Sequence, residues 1–194
     1  MAKKLESWLA DIFPGREKIG SAYSHLSDRE LAVVAASVLD LALAELLSKR
    51  LKNYPKECEE FLGLNADGRA PCGSFGARIQ LSLLTGIIST TIAMALRDVK
   101  NIRNKFAHRV NCTFISPEVV PLVLSLLDRL MDTCEEVVEP EKALEFRKRL
   151  KIVMHAHKKD FHVDPKLGAE VVRSALTAYQ IQLHKTAQTL AQLT

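Results

Sequence analysis

A guanidinium, an amide and an imidazole lie close together in residues 102–108, IRNKFAH. Arg103, Asn104 and His108 offer the groups that metal-independent RNA cleavage needs, because imidazole transfers protons near neutral pH and guanidinium binds phosphate oxygens. On a helix, Asn104 and His108 share a face, since they are four residues apart. Arg103 and His108 lie about 140° apart around the same helix. They would meet only if Arg103 curls round, the helix distorts or a second subunit completes the site.

The same residues also allow a role without catalysis, which is the interpretation that so short a motif favours. Near the end of a helix, Asn104 and His108 could satisfy free carbonyls and hold the next loop. Arg103 could pair with Asp98 or with Asp40.

Two acidic residues interrupt the most apolar segment, residues 31–47. For Asp40 we expect an internal ion pair, since burial of an unpaired carboxylate is costly. Glu45 we expect at the edge of the apolar stripe, solvated or paired. Alternatively, both acids belong to a polar pocket that faces Arg78 or Arg103, and Asp40 with Arg78 is the pair that we assign to such a pocket.

The excess of basic residues lies in the last quarter of the chain. Residues 140–194 contain 10 Lys and Arg against 5 Asp and Glu, whereas residues 1–139 contain 17 against 18. Candidate contacts to a partner or to phosphates are Arg147, Lys148, Arg149, Lys151, Lys158 and Lys159. We favour a solvated face that steers an acidic partner, because Phe146 and Phe161 are the only nearby rings for base stacking.

Composition and motifs predict no cofactor and no metal. The 194 residues are 47% hydrophobic and 26% charged, as in an ordinary globular domain. The sequence has no glycine-rich phosphate loop and no nucleophile elbow. Its four cysteines form no C-x-x-C pair, and the histidines of the tail lack Glu or Cys at zinc-site spacing, so we expect reduced thiols and no zinc.

The N-terminal segment does not resemble a signal peptide. Glu6 and Asp11 interrupt any apolar run there, and Ala2 excludes N-myristoylation. Residues 31–47 are shorter than the ~20 apolar residues of a membrane span. We therefore expect a cytoplasmic protein that does not contact a membrane.

Helical periodicity runs through almost the whole chain, and no useful segment alternates with period two. Ser27 and Glu30 predict a capping box before a long helix that ends near Lys52. Further helices are predicted after Ser74, from Ser89 to about His108, after the cap Ser116, at residues 140–159 and from residue 164 onward. The predicted fold is all-α and one domain: a four-helix core at about 27–134, an N-terminal extension and a C-terminal helical hairpin at about 140–194.

Two segments of the predicted core carry a family resemblance. The first is residues 73–81, GSFGARIQL, which lead to residues 84–88, LTGII. The second is IRNKFAH at 102–108, followed by residues 114–117, FISP. Together they resemble the mannitol operon repressor family of bacterial regulators. The second segment also resembles the HEPN helical superfamily, whose ribonuclease members carry an Arg and a His a few residues apart.

Each resemblance implies a function. The first implies transcription regulation without a helix-turn-helix, hence action through a protein partner. The second implies an endoribonuclease with its site in a dimer cleft, where Arg103 would bind phosphate, His108 would act as acid or base and Asn104 would orient them. Lys105 departs from the acidic residue expected there in HEPN relatives. We predict a dimeric, non-enzymatic regulator, with the ribonuclease as the alternative and nucleic-acid binding by the tail as a third hypothesis.

Overall fold

The fold is all-α, as predicted. The computed structural model describes residues 26–64, 69–114 and 116–137, and these residues contain helices and no strand. The helices are α1 (Asp28–Arg50), α2 (Pro55–Leu62), α3 (Phe75–Leu84), α4 (Thr90–His108) and α5 (Val120–Val137). The predicted N-terminal extension and C-terminal hairpin, with the basic residues Arg147, Lys148, Arg149, Lys151, Lys158 and Lys159, lie outside the described residues.

Helix α1 is the central element, because it packs against α2, α3 and α4. It begins at the predicted capping box, in which the Glu30 carboxylate accepts from Ser27 N at 2.8 Å and the Ser27 hydroxyl accepts from Glu30 N at 3.4 Å. Within the described residues, α1 is the one helix long and apolar enough to cross a membrane, and 61% of its most apolar stretch is buried inside the fold. The core helix of a globular bundle has the same properties.

A short helix that the sequence analysis did not predict follows α1. This helix, α2, begins at Pro55, and proline is tolerated in the first turn because no backbone N–H is needed there. Gly63 ends α2 in the left-handed conformation, at φ 64°. Cys58 and Leu62, one turn apart, are its buried residues. The part of the core that the structure describes therefore has five helices rather than the four predicted.

The starts of α3 and α4 are those that the sequence predicts. The Ser74 hydroxyl accepts from Ala77 N at 3.2 Å, and the Ser89 hydroxyl accepts from Ile92 N at 3.3 Å. Between these helices Gly86 has a φ of 70°, which favours glycine. The inward positions predicted for α4 are all buried: Ile92, Ala95, Leu96, Val99 and Ile102.

The predicted cap at the start of α5 is wrong. The Ser116 hydroxyl accepts from Thr113 N at 2.9 Å, in the loop before the helix, and caps no residue of the helix. Its carbonyl accepts from the N–H groups of Val119 and Val120, which form a turn. The helix then begins at Val120 and packs on α4.

Candidate functional site

Arg78 joins three parts of the core. Arg78 is only 5% exposed, and all three of its guanidinium nitrogens donate hydrogen bonds. Nη1 pairs with Asp40 Oδ1 on α1 at 2.8 Å, Nη2 donates to the Leu62 carbonyl at 2.7 Å and Nε donates to the Cys72 carbonyl at 3.2 Å. The internal ion pair predicted for Asp40 is therefore present, with Arg78 as its partner.

Arg103 acts on Asp40 through its charge alone. Burial raises the pKa of the Asp40 carboxyl above its ordinary value, and the positive charges of Arg78 and then Arg103 oppose that change. The half-buried Arg103 side chain makes no hydrogen bond or ion pair with another described residue. The Asp40 carboxylate is thus in contact with Arg78 and has the charge of Arg103 nearby.

The pairing of Arg103 with Asp98, one of the two that we considered, does not occur. The Asp98 carboxylate accepts from Arg129 Nε at 3.0 Å and from the Ser125 hydroxyl at 2.9 Å. Both donors belong to α5, so Asp98 binds α5 to α4. Arg103 forms no ion pair with Asp98. For Glu45 we expected a solvated or a paired side chain at the edge of the apolar stripe. Its carboxylate is paired with Lys49 Nζ at 2.8 Å, but the residue is buried rather than at an edge.

The end of α4 is held by Arg29, a residue that the sequence analysis did not single out. Its guanidinium donates to the carbonyls of Phe106, Arg109 and Val110, the last at 2.8 Å. The neighbouring Asp28 carboxylate accepts from Phe114 N at 3.1 Å. The last carbonyls of a helix have no partner within the helix. The first turn of α1 therefore supplies the partners for the last turn of α4 and the loop that follows.

Asn104 and His108 do not perform the structural role considered for them. Neither side chain forms a hydrogen bond with another described residue, and His108 is exposed. The loop after α4 is instead held by Arg29, by an ion pair of 2.7 Å between Arg109 and Glu118, and by the rings of Phe106 and Phe114 at 4.9 Å. This leaves the amide and the imidazole available for another purpose.

The structure does not unite Arg103, Asn104 and His108 within one chain. Helix α4 continues without interruption to His108, so the distortion that could bring Arg103 and His108 together is not present. Arg103 lies on the side of α4 that faces Asp40, while His108 lies on the exposed side. Of the three routes by which they could meet, a changed Arg103 conformation and a second subunit remain.

The cysteines and acidic residues of the described part form no further centre. Among the described residues there is no group of three or more His, Cys, Asp or Glu that could hold a metal ion. Cys58, Cys72 and Cys112 are buried and unpaired. Burial raises the pKa of the Cys58 and Cys72 thiols, which disfavours the reactive thiolate.

Comparisons of the chain with protein-family models, with curated proteins and with solved structures find no match. The resemblance of residues 73–81, 84–88, 102–108 and 114–117 to the mannitol operon repressor family therefore stays a prediction from the sequence. The geometry separates two kinds of polar residue in these segments: those bonded within the bundle, such as Arg78, and those left on its surface, such as His108.

Proposed function

We propose that this chain is a bacterial regulatory protein similar to the mannitol operon repressor family. It acts in the cytoplasm as a homodimer, through contact with a protein partner, and without a DNA-binding module of its own. It contacts no membrane and needs no cofactor. The observation that supports this proposal is the structural use of the residues that carry the resemblance.

Most of those residues build the bundle. In the first segment Ser74 caps α3, Arg78 holds the Asp40 carboxylate and Gly86 makes the turn to α4. In the second, Phe106 and Phe114 are buried and in contact. Chains that share these residues would share a fold rather than a catalytic cleft. Activity would then come from the outer surface, which suits contact with another protein.

Gene deletion with complementation tests the regulatory role. We expect transcripts of a small set of operons to change in the deletion strain and to return with the wild-type gene. An Arg78→Met gene should fail to restore them because the bundle is weakened, whereas Lys52→Met, at an exposed position, should restore them.

A DNA-binding measurement separates direct from partner-mediated action. We expect the purified chain to bind the promoters of the affected operons no better than unrelated DNA. Tight and sequence-specific binding by the purified chain alone would contradict the partner-mediated proposal. Unchanged transcripts in the deletion strain would contradict the regulatory role itself.

A HEPN-type endoribonuclease is a second candidate, favoured by one specific observation. The side chains of Arg103, Asn104 and His108 make no hydrogen bond or ion pair with another described residue, and Arg29 holds the end of α4 in place of Asn104 and His108. An imidazole and a guanidinium that the fold does not need are the groups that phosphodiester cleavage would use. Since the two lie on different sides of α4, such a site would need a changed Arg103 conformation or a second subunit.

Cleavage of single-stranded RNA by the purified chain, with a chelator present, tests the second candidate. If it is right, His108→Ala should lower the rate about a hundredfold or more, as expected for loss of a general acid or base. Asn101→Ala, an exposed amide on the same helix, is the matched control and should cleave as wild type does. No cleavage by wild type, or equal cleavage by wild type and His108→Ala, would exclude this candidate.

A further inference from the structure

One side of α1 has an uncovered apolar stretch. Val33, Ser37 and Leu41 follow one another at steps of four residues, so they lie along one side of the helix over about 12 Å. Val33 is 39% exposed, Leu41 is 36% exposed, and Ser37 is exposed between them. The Ser37 hydroxyl donates to the Val33 carbonyl at 3.0 Å, so its proton already has an acceptor within the helix. We call these three residues the open side of α1.

This part of α1 has no unpaired charge. Between Glu30 and Lys49 the only charged residues of the helix are Asp40 and Glu45. Asp40 is paired with Arg78. Glu45 is buried and paired with Lys49. Because the water-facing side of a helix normally carries charged or polar residues, a side with exposed apolar residues and no free charge indicates a surface that another element covers.

Further along the helix, the same side of α1 is covered. Ala44 and Ser48 continue the line of the open side beyond Leu41, at steps of three and four residues. Ala44 is fully buried and Ser48 is half-buried. The Ser48 hydroxyl interacts with the Cys58 thiol of α2, which packs on α1 here. Helix α2 has eight residues against the 23 of α1, so it covers one end of this side and leaves the open side uncovered.

Residues 5–13, which precede α1 in the chain, have the sequence pattern of an amphipathic helix. Their apolar residues recur at steps of three, one, three and one: Leu5, Trp8, Leu9, Ile12 and Phe13. This spacing predicts an apolar stripe about 12 Å long, which equals the length of the open side. Pro14 and Gly15 then end the pattern. Residues 5–13 lie outside the described part of the structure, so their helix is a prediction from the sequence.

The chain between this segment and α1 is long enough for the two to meet. The described part begins at Leu26, next to the Ser27 cap of α1 and therefore at the end of the helix that is nearer to the open side. Residues 14–25 can span up to about 40 Å, whereas Leu41 lies about 21 Å along the helix from Ser27. Because both parts belong to one chain, their effective concentration is on the order of millimolar, so a small apolar contact suffices.

We propose that residues 5–13 dock as an amphipathic helix on the open side of α1 in their own chain. The contact covers Val33 and Leu41, so that α2 covers one end of this side of α1 and residues 5–13 cover the other. A second copy of the chain fits less well, because two partly exposed apolar side chains are far from the roughly 800 Å² that each partner of a stable interface buries.

Fluorescence of the full chain tests the proposal, because Trp8 is the only tryptophan of the sequence. In wild type we expect the emission of a buried indole that acrylamide quenches poorly. Val33→Lys/Leu41→Lys should move the emission maximum and the quenching constant to the values of the urea-unfolded chain. Leu84→Lys/Val110→Lys makes the same change at two exposed apolar residues elsewhere and should leave both readings as in wild type. Far-UV circular dichroism checks that both variants keep the helical bundle.

A change in the segment itself tests the same contact from its other partner. Leu5→Asp/Ile12→Asp should also expose Trp8 and lower the thermal midpoint. Combining it with Val33→Lys/Leu41→Lys should lower the midpoint little further, because each variant already removes the contact. A combined loss equal to the sum of the two separate losses would overturn the proposal.

The fluorescence readings of Trp8 also separate the other occupants of the open side. An exposed Trp8 in wild type, or a Trp8 that the α1 variant leaves buried, would overturn the proposal. So would emission that changes with protein concentration, since the segment would then lie on a second copy. Emission that shifts only when phosphatidylglycerol vesicles are added would assign the segment to a membrane instead. None of these readings depends on whether the protein regulates transcription.

Discussion

Arg78 and Arg103 lie near the same carboxylate, that of Asp40, yet the fold uses them differently. Arg78 is buried, and every guanidinium nitrogen has an acceptor on α1, on α2 or in the loop before α3. Arg103 is half-buried, and its guanidinium has no acceptor among the described residues. The two arginines therefore differ in how many guanidinium nitrogens are hydrogen-bonded within the bundle. Arg78, with all three bonded, is structural, whereas Arg103 is available for another purpose.

Replacing each arginine by methionine should give the largest contrast. Arg78→Met leaves the Asp40 carboxylate and two carbonyls without their donor, and we expect a loss of about 3–5 kcal/mol in the free energy of unfolding. Arg103→Met removes no bond to a described residue and should change that free energy by less than about 0.5 kcal/mol. Urea denaturation of both variants measures the difference. Similar losses in the two variants would show that Arg103 is as structural as Arg78.

Arg29 extends the comparison to the end of α4. Arg29→Met removes three hydrogen bonds to carbonyls, partly exposed to solvent, and should lower the free energy of unfolding by about 1–2 kcal/mol. Arg50→Met, at an exposed position at the other end of α1, is the control and should have little effect. The thermal midpoints of the two variants provide the measurement, and equal midpoints would mean that the carbonyls do not depend on Arg29.

The pH dependence of stability sharpens the role of Asp40. Because its pKa is raised in the folded state, the folded chain binds more protons than the unfolded chain at pH values above the ordinary pKa of 3.8. Stability contributed by Asp40 therefore falls as pH rises through that window. Asp40→Asn does not titrate, so the difference in unfolding free energy between wild type and variant should decline from acidic to neutral pH. A difference that grows instead would mean that the Arg78 pair outweighs burial.

The smallest effect is expected at the exposed imidazole. His108→Ala should alter the free energy of unfolding by less than about 0.5 kcal/mol, since no described residue depends on this side chain. Chemical denaturation at neutral pH measures it, with Asn101→Ala alongside. A loss comparable to that of Arg29→Met would show that His108 supports the helix end after all.

Much of the fold could be predicted from the sequence, because helix caps and apolar spacing depend on residues that are close together in the chain. The Ser27 box, the Ser74 and Ser89 caps and the apolar spacing of α4 depend on residues within one or two turns. Helix α2 was missed because Pro55 is equally suited to ending a segment and to starting one. The Ser116 cap failed because its hydroxyl had a competing donor, Thr113 N, in the preceding loop.

The candidate site was less predictable, because its determinants are distant in sequence. An ion pair of Asp40 could be anticipated, since a carboxylate within the most apolar helix needs a cation, but the sequence did not decide between Arg78 and Arg103. The function of Arg29 could not, because an arginine in the first turn of a helix resembles an ordinary exposed residue. Its acceptors lie 77 to 81 residues further along the chain. Without that contact, Asn104 and His108 were the natural candidates for holding the end of α4.

The hydrogen bonds of Arg29 also bear on the order in which the chain folds. They join positions so far apart that a long loop must close before they form, and such closure costs chain entropy. The last turn of α4 therefore gains these donors only after α1 has docked, and both should open together in native-state hydrogen exchange. We therefore expect the first turn of α1 and the surface around His108 to behave as one cooperative unit, so that a change at Ser27 alters the lifetime of the structure that presents the imidazole.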